Sequence, residues 1–598
     1  MRFDPAMSTD YLITFFILFV GFGLFLWLIG AAASWRPIGV DLIFRAPWIG
    51  YALLVGMLQL VHLFWPINRP VSTVVAAGLT LCAGCVLLTV GFRQKWTWKE
   101  AGTGMAIAAV LGVISLAVFY PVFNSCTKAM CHYDLGLYYL KAIRWTEGFP
   151  IVPGLVNVQE HLALNQSAFL VIALVDSLVP NRWGIFLVGG FLPWLGLTLS
   201  LFALVRLASF KLRRNKSASS LEVAYAVSMP AWLFTLANAN VSSASPDCII
   251  SCLSIHLFLV FAAFVASADQ EERVRNSSEI LLLGAACIVV KSICLGLIVA
   301  VWGVCVVILL LRKSELHLLL AGKRILAMAV IAAVLIITWM GRGIVLSGYP
   351  LFPSSALAMP VPWRIPVKYV TEFRGEIVRY AREVDPNVSV KKTLRTWRWL
   401  PGWFERLLAM PNQFVWPAQV GIAGSAALVA FGVFVPSVRR NAWNLLALVI
   451  PVLVYLLFWF FTAPGVRYFG PGMWIFAVCP ALAFAGGGLR VGLASALATL
   501  IATAIPILLL AGEFSWSWSR PEPRLPEFRT MEIKAVANQH GVELWVNPEG
   551  FQTYDAPLPS SWTTRPFLAL LNPEKGLAGG FKFAKPLVSS ADQAAAPP

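Results

Sequence analysis

Long apolar runs, separated by short polar or basic turns, dominate the chain between residues 11 and 512. A helix rises 1.5 Å per residue, so a crossing of the hydrocarbon core needs about 20 apolar residues, and about fourteen segments approach that length. They lie near 11–33, 48–66, 71–92, 104–122, 184–207, 220–238, 247–268, 279–292, 293–312, 324–342, 413–435, 442–462, 469–488 and 492–512. The stretch 279–312 is short for two full crossings. Its first half reads as a short or broken helix, which a membrane tolerates where it lines a cavity.

Basic residues orient these spans. Arg93, Lys95 and Lys99 follow the third span, and Lys211, Arg213, Arg214 and Lys216 follow the fifth. Arg312, Lys313, Lys323 and Arg324 flank a later turn, and Arg439 and Arg440 another. All four groups fall on one side if every segment crosses, and that side is cytoplasmic by the positive-inside rule. Both termini are then expected outside. Three long stretches share the outer face, dividing the chain into 1–122, an outer loop 123–183, a helical core 184–342, a basic outer loop 343–411, helices 412–512 and an outer tail 513–598. In the tail, MEIKAVANQHGVELWV reads as a short helix, a glycine stop and a strand, so a small α+β domain is expected there.

Composition agrees with a polytopic all-α membrane protein. The 598 residues are 59% hydrophobic and 13% charged, against about 45–50% and about 25% in soluble domains. A soluble enzyme, a disordered chain and a collagen-like fibre are excluded. The net charge of +17 is accounted for by topology and by anionic headgroups, without nucleic acid. Of ten cysteines, eight fall in or beside apolar spans, and only Cys126 and Cys131 lie outside one. No Walker-type phosphate loop, zinc-type Cys/His spacing or internal repeat is present.

Polar residues at span ends are the candidate chemistry. His132-Tyr133-Asp134 follows the fourth span and opens an amphipathic stretch, broken at Gly148, Pro150, Pro153 and Gly154. A second apolar helix is expected near 165–179, so two helices lie along the outer interface. Asp134 has two readings, a helix N-cap or a carboxylate base. Asp247 opens the seventh span and has the same two readings, cap or support for Asp134. Lys291 interrupts LLLGAACIVVKSICLGLIVA. A lysine inside a span is costly and marks either a site or a snorkelling side chain. Arg467 lies in APGVRYFGPG between two spans, and a guanidinium suits phosphate oxygens. His62 and His256, within apolar spans, read as packed or hydrogen-bonded side chains. From Arg342 to Arg406 there are eleven Lys/Arg against five Asp/Glu. That segment reads as a headgroup-bound strip or as a lid attracting phosphate.

The order carboxylate, juxtamembrane helix, Pro/Gly turn, second helix, span resembles the GT-C membrane glycosyltransferases. A narrower resemblance, to a group of bacterial polytopic membrane proteins, rests on Asp134, Gly136, Leu137, Tyr138, Tyr139, Trp145, Val152-Pro153-Gly154-Leu155 and Asn165-Gln166-Ser167. Ser347-Gly348-Tyr349-Pro350 and the tail stretch PEGFQTYDAPLPSS add to it. Two residues depart from the pattern: Tyr139 replaces a histidine and His161 an arginine, which puts any phosphate-donor role of either in doubt. The resemblance implies a GT-C-like fold in the bacterial inner membrane with its active face periplasmic. It implies Asp134 as base and Arg467, Lys291, Asp247, His161, Asn165, Tyr138 and Tyr349 as substrate- or phosphate-binding residues. In an oxidising periplasm, Cys126 and Cys131 form either a disulfide or two free thiols.

The expected activity is transfer of a sugar from a polyprenyl-phosphate donor to an envelope glycan, lipid or protein acceptor. No cofactor is expected, although two outer carboxylates could share a divalent metal. The alternatives are a transporter or flippase for a lipid-linked glycan, and a non-catalytic subunit of polysaccharide assembly.

Overall fold

The computed structural model describes residues 5–34, 39–93, 98–126, 132–179, 182–213, 219–238, 241–312, 322–385, 387–485 and 532–584. Four helices come first: α1 (Pro5–Ser34), α2 (Val40–Val61), α3 (Arg69–Arg93) and α4 (Trp98–Cys126). The first long loop carries a π-helical turn (Leu135–Tyr139), α5 (Leu140–Gly148) and α6 (Ala168–Leu178). Then follow α7 (Gly184–Arg213), α8 (Ser220–Val227), α9 (Met229–Asn238), α10 (Pro246–Ala266), α11 (Gln270–Val290), α12 (Leu295–Leu311) and α13 (Lys323–Ser347). The second long loop holds α14 (Val367–Arg382), α15 (Val390–Arg395) and α16 (Leu400–Leu408). The described helices close with α17 (Trp416–Phe434), α18 (Pro436–Thr462), the single turn α19 (Val466–Phe469) and α20 (Gly472–Ala485).

Among the described residues ten helical stretches are long and apolar enough to cross a membrane, and the pair α8–α9, bent by 46°, makes an eleventh if counted as one span. The chain is therefore a multi-pass membrane protein. Ten of the fourteen expected spans correspond one to one with these stretches. Pro230, which lacks an N–H, accounts for the bend in the expected span 220–238. The expected span 469–488 is described as a helix only over Gly472–Ala485, and 492–512 lies outside the described residues.

Two boundaries moved for one physical reason. The second span was expected near 48–66 but begins at Val40. The expected short helix 279–292 is the C-terminal half of the 21-residue α11. In both, the early turns carry charges (Asp41 and Arg45; Arg275 and Glu279) that hide the helix from an apolar-run reading. Those charges pair with one another: Arg45 with Asp41 at 3.0 Å and with Glu279 at 2.5 Å, and Arg275 with Asp41 at 3.2 Å. Pairing makes them tolerable in the bundle. α1 and α2 cross so closely that a Cβ on Gly30 would overlap the Ala46 carbonyl, and one on Gly50 the Leu26 carbonyl.

The tail departs from expectation. The stretch expected as helix then strand is a hairpin, with β1 (Lys534–Ala537) antiparallel to β2 (Glu543–Val546). Asn538 makes the turn: its Oδ1 accepts from the backbone N–H groups of His540 and Val542, and Gly541 takes φ +73°. A second hairpin pairs β3 (Leu568–Leu570) with β4 (Phe581–Phe583). No α-helix occurs in the described part of the tail, so the helix expected at its start is a strand instead.

The tail packs on the first loop and on the start of the second. Val542, Leu544, Val546, Leu568 and Phe581 share one core with Trp145, Val156, Tyr349 and Phe373. Arg565 makes a two-pronged contact with Glu160 at 2.7 and 2.5 Å. This compact cap covers the end of the bundle where the first loop lies.

Candidate functional site

Asp134 immediately precedes the π-helical turn. The wider turn changes the local hydrogen bonding, and such turns recur at functional sites. The Gly136 carbonyl accepts from two tail amides, Thr553 at 3.0 Å and Tyr554 at 3.1 Å. A Cβ at residue 136 would lie 2.7 Å from the Tyr554 ring. Arg144 donates to the backbone of Asp555 and Ala556, and Gln552 to the Tyr133 carbonyl. The tail thus holds the turn that aims Asp134.

The carboxylate makes no capping hydrogen bond. It instead accepts from Arg467 Nη1 at 2.8 Å and, more weakly, from the Tyr139 hydroxyl at 3.4 Å. Arg467 also donates to His132 Nε2 at 3.1 Å and to the Tyr468 hydroxyl at 3.2 Å. Burial lowers the His132 pKa from its ordinary value, Asp134 opposes that, and Arg467 reinforces it. A neutral imidazole is what can accept from a guanidinium. Burial works against the charge of Arg467, but Tyr468, Asp134 and Asp247 overcome it and raise its pKa.

A second pair adjoins the first. The α11 helix stops at Lys291, whose backbone is extended, and α12 begins after one 3₁₀ turn. That break turns the ammonium onto Asp247 in the first turn of α10. Asp247 is not the cap there: the Ser245 hydroxyl accepts from the Asp247 N–H at 3.3 Å. Tyr468 joins the two pairs, with Lys291 Nζ 5.7 Å and the Arg467 guanidinium 5.0 Å from its ring centre.

The Arg467 loop is pinned from behind. Trp459 Nε1 donates to Gly465 at 2.8 Å, Trp403 Nε1 to Pro464 at 2.6 Å, and the Tyr455 hydroxyl to Tyr468 at 3.1 Å. Arg467 is the most open of the four charges, with 35% of its side chain exposed, against 12% for Asp134 and Lys291 and 8% for Asp247.

Four residues singled out in the sequence, Asp134, Asp247, Lys291 and Arg467, therefore meet at one end of the bundle from four separate elements. Tyr138 lies beside them, its ring 4.6 Å from that of Tyr139 and 5.0 Å from that of His161. His161 sits among Tyr138, Phe373 and Trp562, and burial pushes its pKa down to about 4, so it carries no charge near neutrality.

Asn165 and Tyr349 are elsewhere. Asn165 Nδ2 donates to the Trp339 carbonyl at 2.7 Å, and its Oδ1 accepts from Arg342 at 3.3 Å. Tyr349 is fully buried and donates to the Ile365 carbonyl at 2.8 Å, a structural role in the loop core. Cys126 is a buried free thiol, while Cys131 lies outside the described residues. His256 hydrogen-bonds Tyr225 at 2.7 Å in the bundle, as expected for a packed histidine. His62 accepts from Arg342.

Sequence reasoning missed His132, Tyr139 and Tyr468 as members of the site. Two signals were available: His132 and Tyr468 flank Asp134 and Arg467 closely in the chain, and Tyr139 lies five residues past Asp134, within reach across the turn. Nothing in the sequence pointed to the tail contact at Gly136. Among the described residues no group of three or more His, Cys, Asp or Glu is placed to hold a metal.

The chain belongs to the family described as "Domain of unknown function (DUF8201)", whose profile matches residues 10–474. That match spans all four charged residues of the site and stops short of the tail that holds it. No curated protein and no solved structure matches the chain.

Proposed function

We propose that the chain is an integral membrane glycosyltransferase of GT-C type, moving a sugar from a polyprenyl-phosphate donor to an acceptor hydroxyl on the periplasmic face. One observation carries the reading. Two carboxylates and two cations converge from distant parts of the sequence at one end of the bundle, and Asp134 is paired with Arg467 rather than spent as a cap.

In this reading the donor phosphate competes for Arg467 and Lys291, both strong phosphate partners. Its arrival frees the Asp134 oxygen that Arg467 now occupies. Asp134 takes the proton of the acceptor hydroxyl as that oxygen attacks the anomeric carbon. The bond from that carbon to the phosphate oxygen breaks, and the phosphate leaves with the electron pair. Arg467 and Lys291 hold the charge that develops on it. Neutral His132 keeps Arg467 oriented. Asp247 keeps Lys291 in place, and Tyr139 steadies Asp134.

The test is to delete the gene and restore it as wild type or as Asp134→Asn, reading envelope glycans and lipid-linked sugars. The reading requires one sugar to be missing, its polyprenyl-phosphate donor to accumulate, and the Asn variant to express normally without rescuing. Full rescue by Asp134→Asn sinks it and favours a transporter or an assembly subunit.

A further inference from the structure

Arg342 lies in the last two turns of α13 and is 5% exposed. Its guanidinium has two partners, the Asn165 side-chain oxygen and His62 Nδ1 at 2.9 Å. The other His62 nitrogen contacts the Phe149 carbonyl at 3.1 Å, which requires the N–H on Nε2 and leaves Nδ1 as an acceptor. His62 is therefore neutral. Asn165 is neutral too, and no carboxylate pairs with Arg342 among the described residues. A buried cation without an anion is the costly arrangement, unlike every ion pair at the Asp134 site.

A cavity of about 40 Å³ opens beside it, lined by His62, Trp145, Asn165, Gln166, Phe169 and Arg342. Trp145 is 3% exposed, and its indole N–H has no acceptor. The Gln166 side-chain oxygen is also unpartnered there. Exchanging its oxygen and nitrogen offers a further donor. One water needs roughly 10–15 Å³ measured this way, so the space suits about three oxygen-sized groups and excludes a sugar ring.

We propose that this cavity is an anion site, in which Arg342 and the Trp145 indole hold the oxygens of a single phosphate group. Arg342 stands near the end of its span, the depth at which headgroup phosphates lie. The phosphate belongs to a phospholipid headgroup inserted from the interface or is free in solution. Either supplies the missing negative charge. The site is separate from that of Asp134, and Phe169, whose ring packs 5.5 Å from that of Tyr139, lines the cavity.

Native mass spectrometry of the full chain tests this, with phosphatidylglycerol, phosphate-free diacylglycerol and inorganic phosphate as separate probes. The expected result is one tightly retained phosphatidylglycerol, or one saturable inorganic phosphate, and no retained diacylglycerol. Which probe is retained identifies the source. Arg342→Gln should weaken retention about tenfold or more, the usual scale for losing a charge-assisted contact. Trp145→Phe keeps the packing and removes only the N–H, so it should weaken retention about threefold to tenfold even if Arg342→Gln does not fold. Arg467→Gln, which removes the phosphate partner of the Asp134 site, should leave the one molecule held at Arg342 in place. Equal retention of phosphatidylglycerol and diacylglycerol, with no phosphate bound, overturns the proposal. So does retention that Trp145→Phe leaves intact and Arg467→Gln abolishes.

Discussion

Two of the clusters of paired charge among the described residues differ in burial. In one, Asp134 pairs with Arg467 and Asp247 with Lys291, with between 8% and 35% of each side chain exposed. In the other, Arg45 and Glu279 pair at 3% and 1% exposure, and Glu279 lies 3.4 Å from a fully buried His256 that hydrogen-bonds Tyr225. The chemistry is nearly the same. The Arg45–Glu279 cluster joins α2, α8, α10 and α11 and is closed to solvent at that pair, although Asp41, the second partner of Arg45, is 30% exposed. The open cluster has side-chain surface that a solute can reach. Ion pairing alone thus says little about function, and access says a good deal.

The comparison can be broken at either cluster. The largest effect is expected at Asp134. Asp134→Asn should cut sugar transfer about 10²- to 10⁴-fold, the range for a lost general base, with little change in the melting temperature of the purified protein. A large loss of stability instead would make the open cluster as structural as the sealed one.

Next comes Glu279→Gln. Removing Glu279 leaves buried Arg45 with Asp41 as its remaining carboxylate partner and should cost about 3 kcal/mol, the low end for a broken buried pair, read by thermal unfolding in detergent. The double variant Arg45→Met with Glu279→Leu should recover most of that loss, because no stranded charge remains at that pair. An unchanged melting temperature for Glu279→Gln would show that the sealed cluster does not hold the bundle.

A smaller effect is expected where the tail meets the open cluster. Gly136→Ala sets a methyl against the Tyr554 ring and should cost about 1–3 kcal/mol by overpacking. Adding Tyr554→Ala should relieve part of it, and a double-mutant cycle measures the coupling. Additive losses would mean that the tail does not aim Asp134.

The smallest effect per step of pH concerns Lys141, fully buried in α5 and donating to the Gln159 side chain at 2.6 Å. Burial first, and Arg565 second, push its pKa down to about 7 from 10.5. Between these values the unfolded chain binds the extra proton, so stability should rise with pH across the window and level off below it. One such group changes stability by at most about 1.4 kcal/mol per pH unit. Lys141→Met should flatten the rise and stabilise the protein at pH 7. A slope that survives the substitution must come from another group.

What was legible in the sequence follows from how each signal is encoded. Apolar length is local, so ten spans could be counted with their approximate ends, together with two further helices, α5 and α6. A polar residue at a span end is also local, and Asp134, Asp247, Lys291 and Arg467 were found that way. Charges hidden inside helices misled the same rule at α2 and α11, because a buried pair looks from either sequence alone like two costly residues. The tail hairpin was misread because Asn538 and Gly541 make a two-strand turn where local propensity favoured a helix.

By itself the sequence determined a polytopic helical membrane protein with charged residues at its span ends. The tertiary structure alone decided which of those residues meet. Asp134 finds Arg467 across 333 positions of the chain, whereas Asn165 and Tyr349 point into other contacts. Partner choice depends on how helices cross and where loops fold back, and a one-dimensional pattern does not encode those angles. Arg342 illustrates it best. Its residue type and place in a span are plain in the sequence, but that no carboxylate among the described residues lies beside it, and that a cavity does, show only in three dimensions.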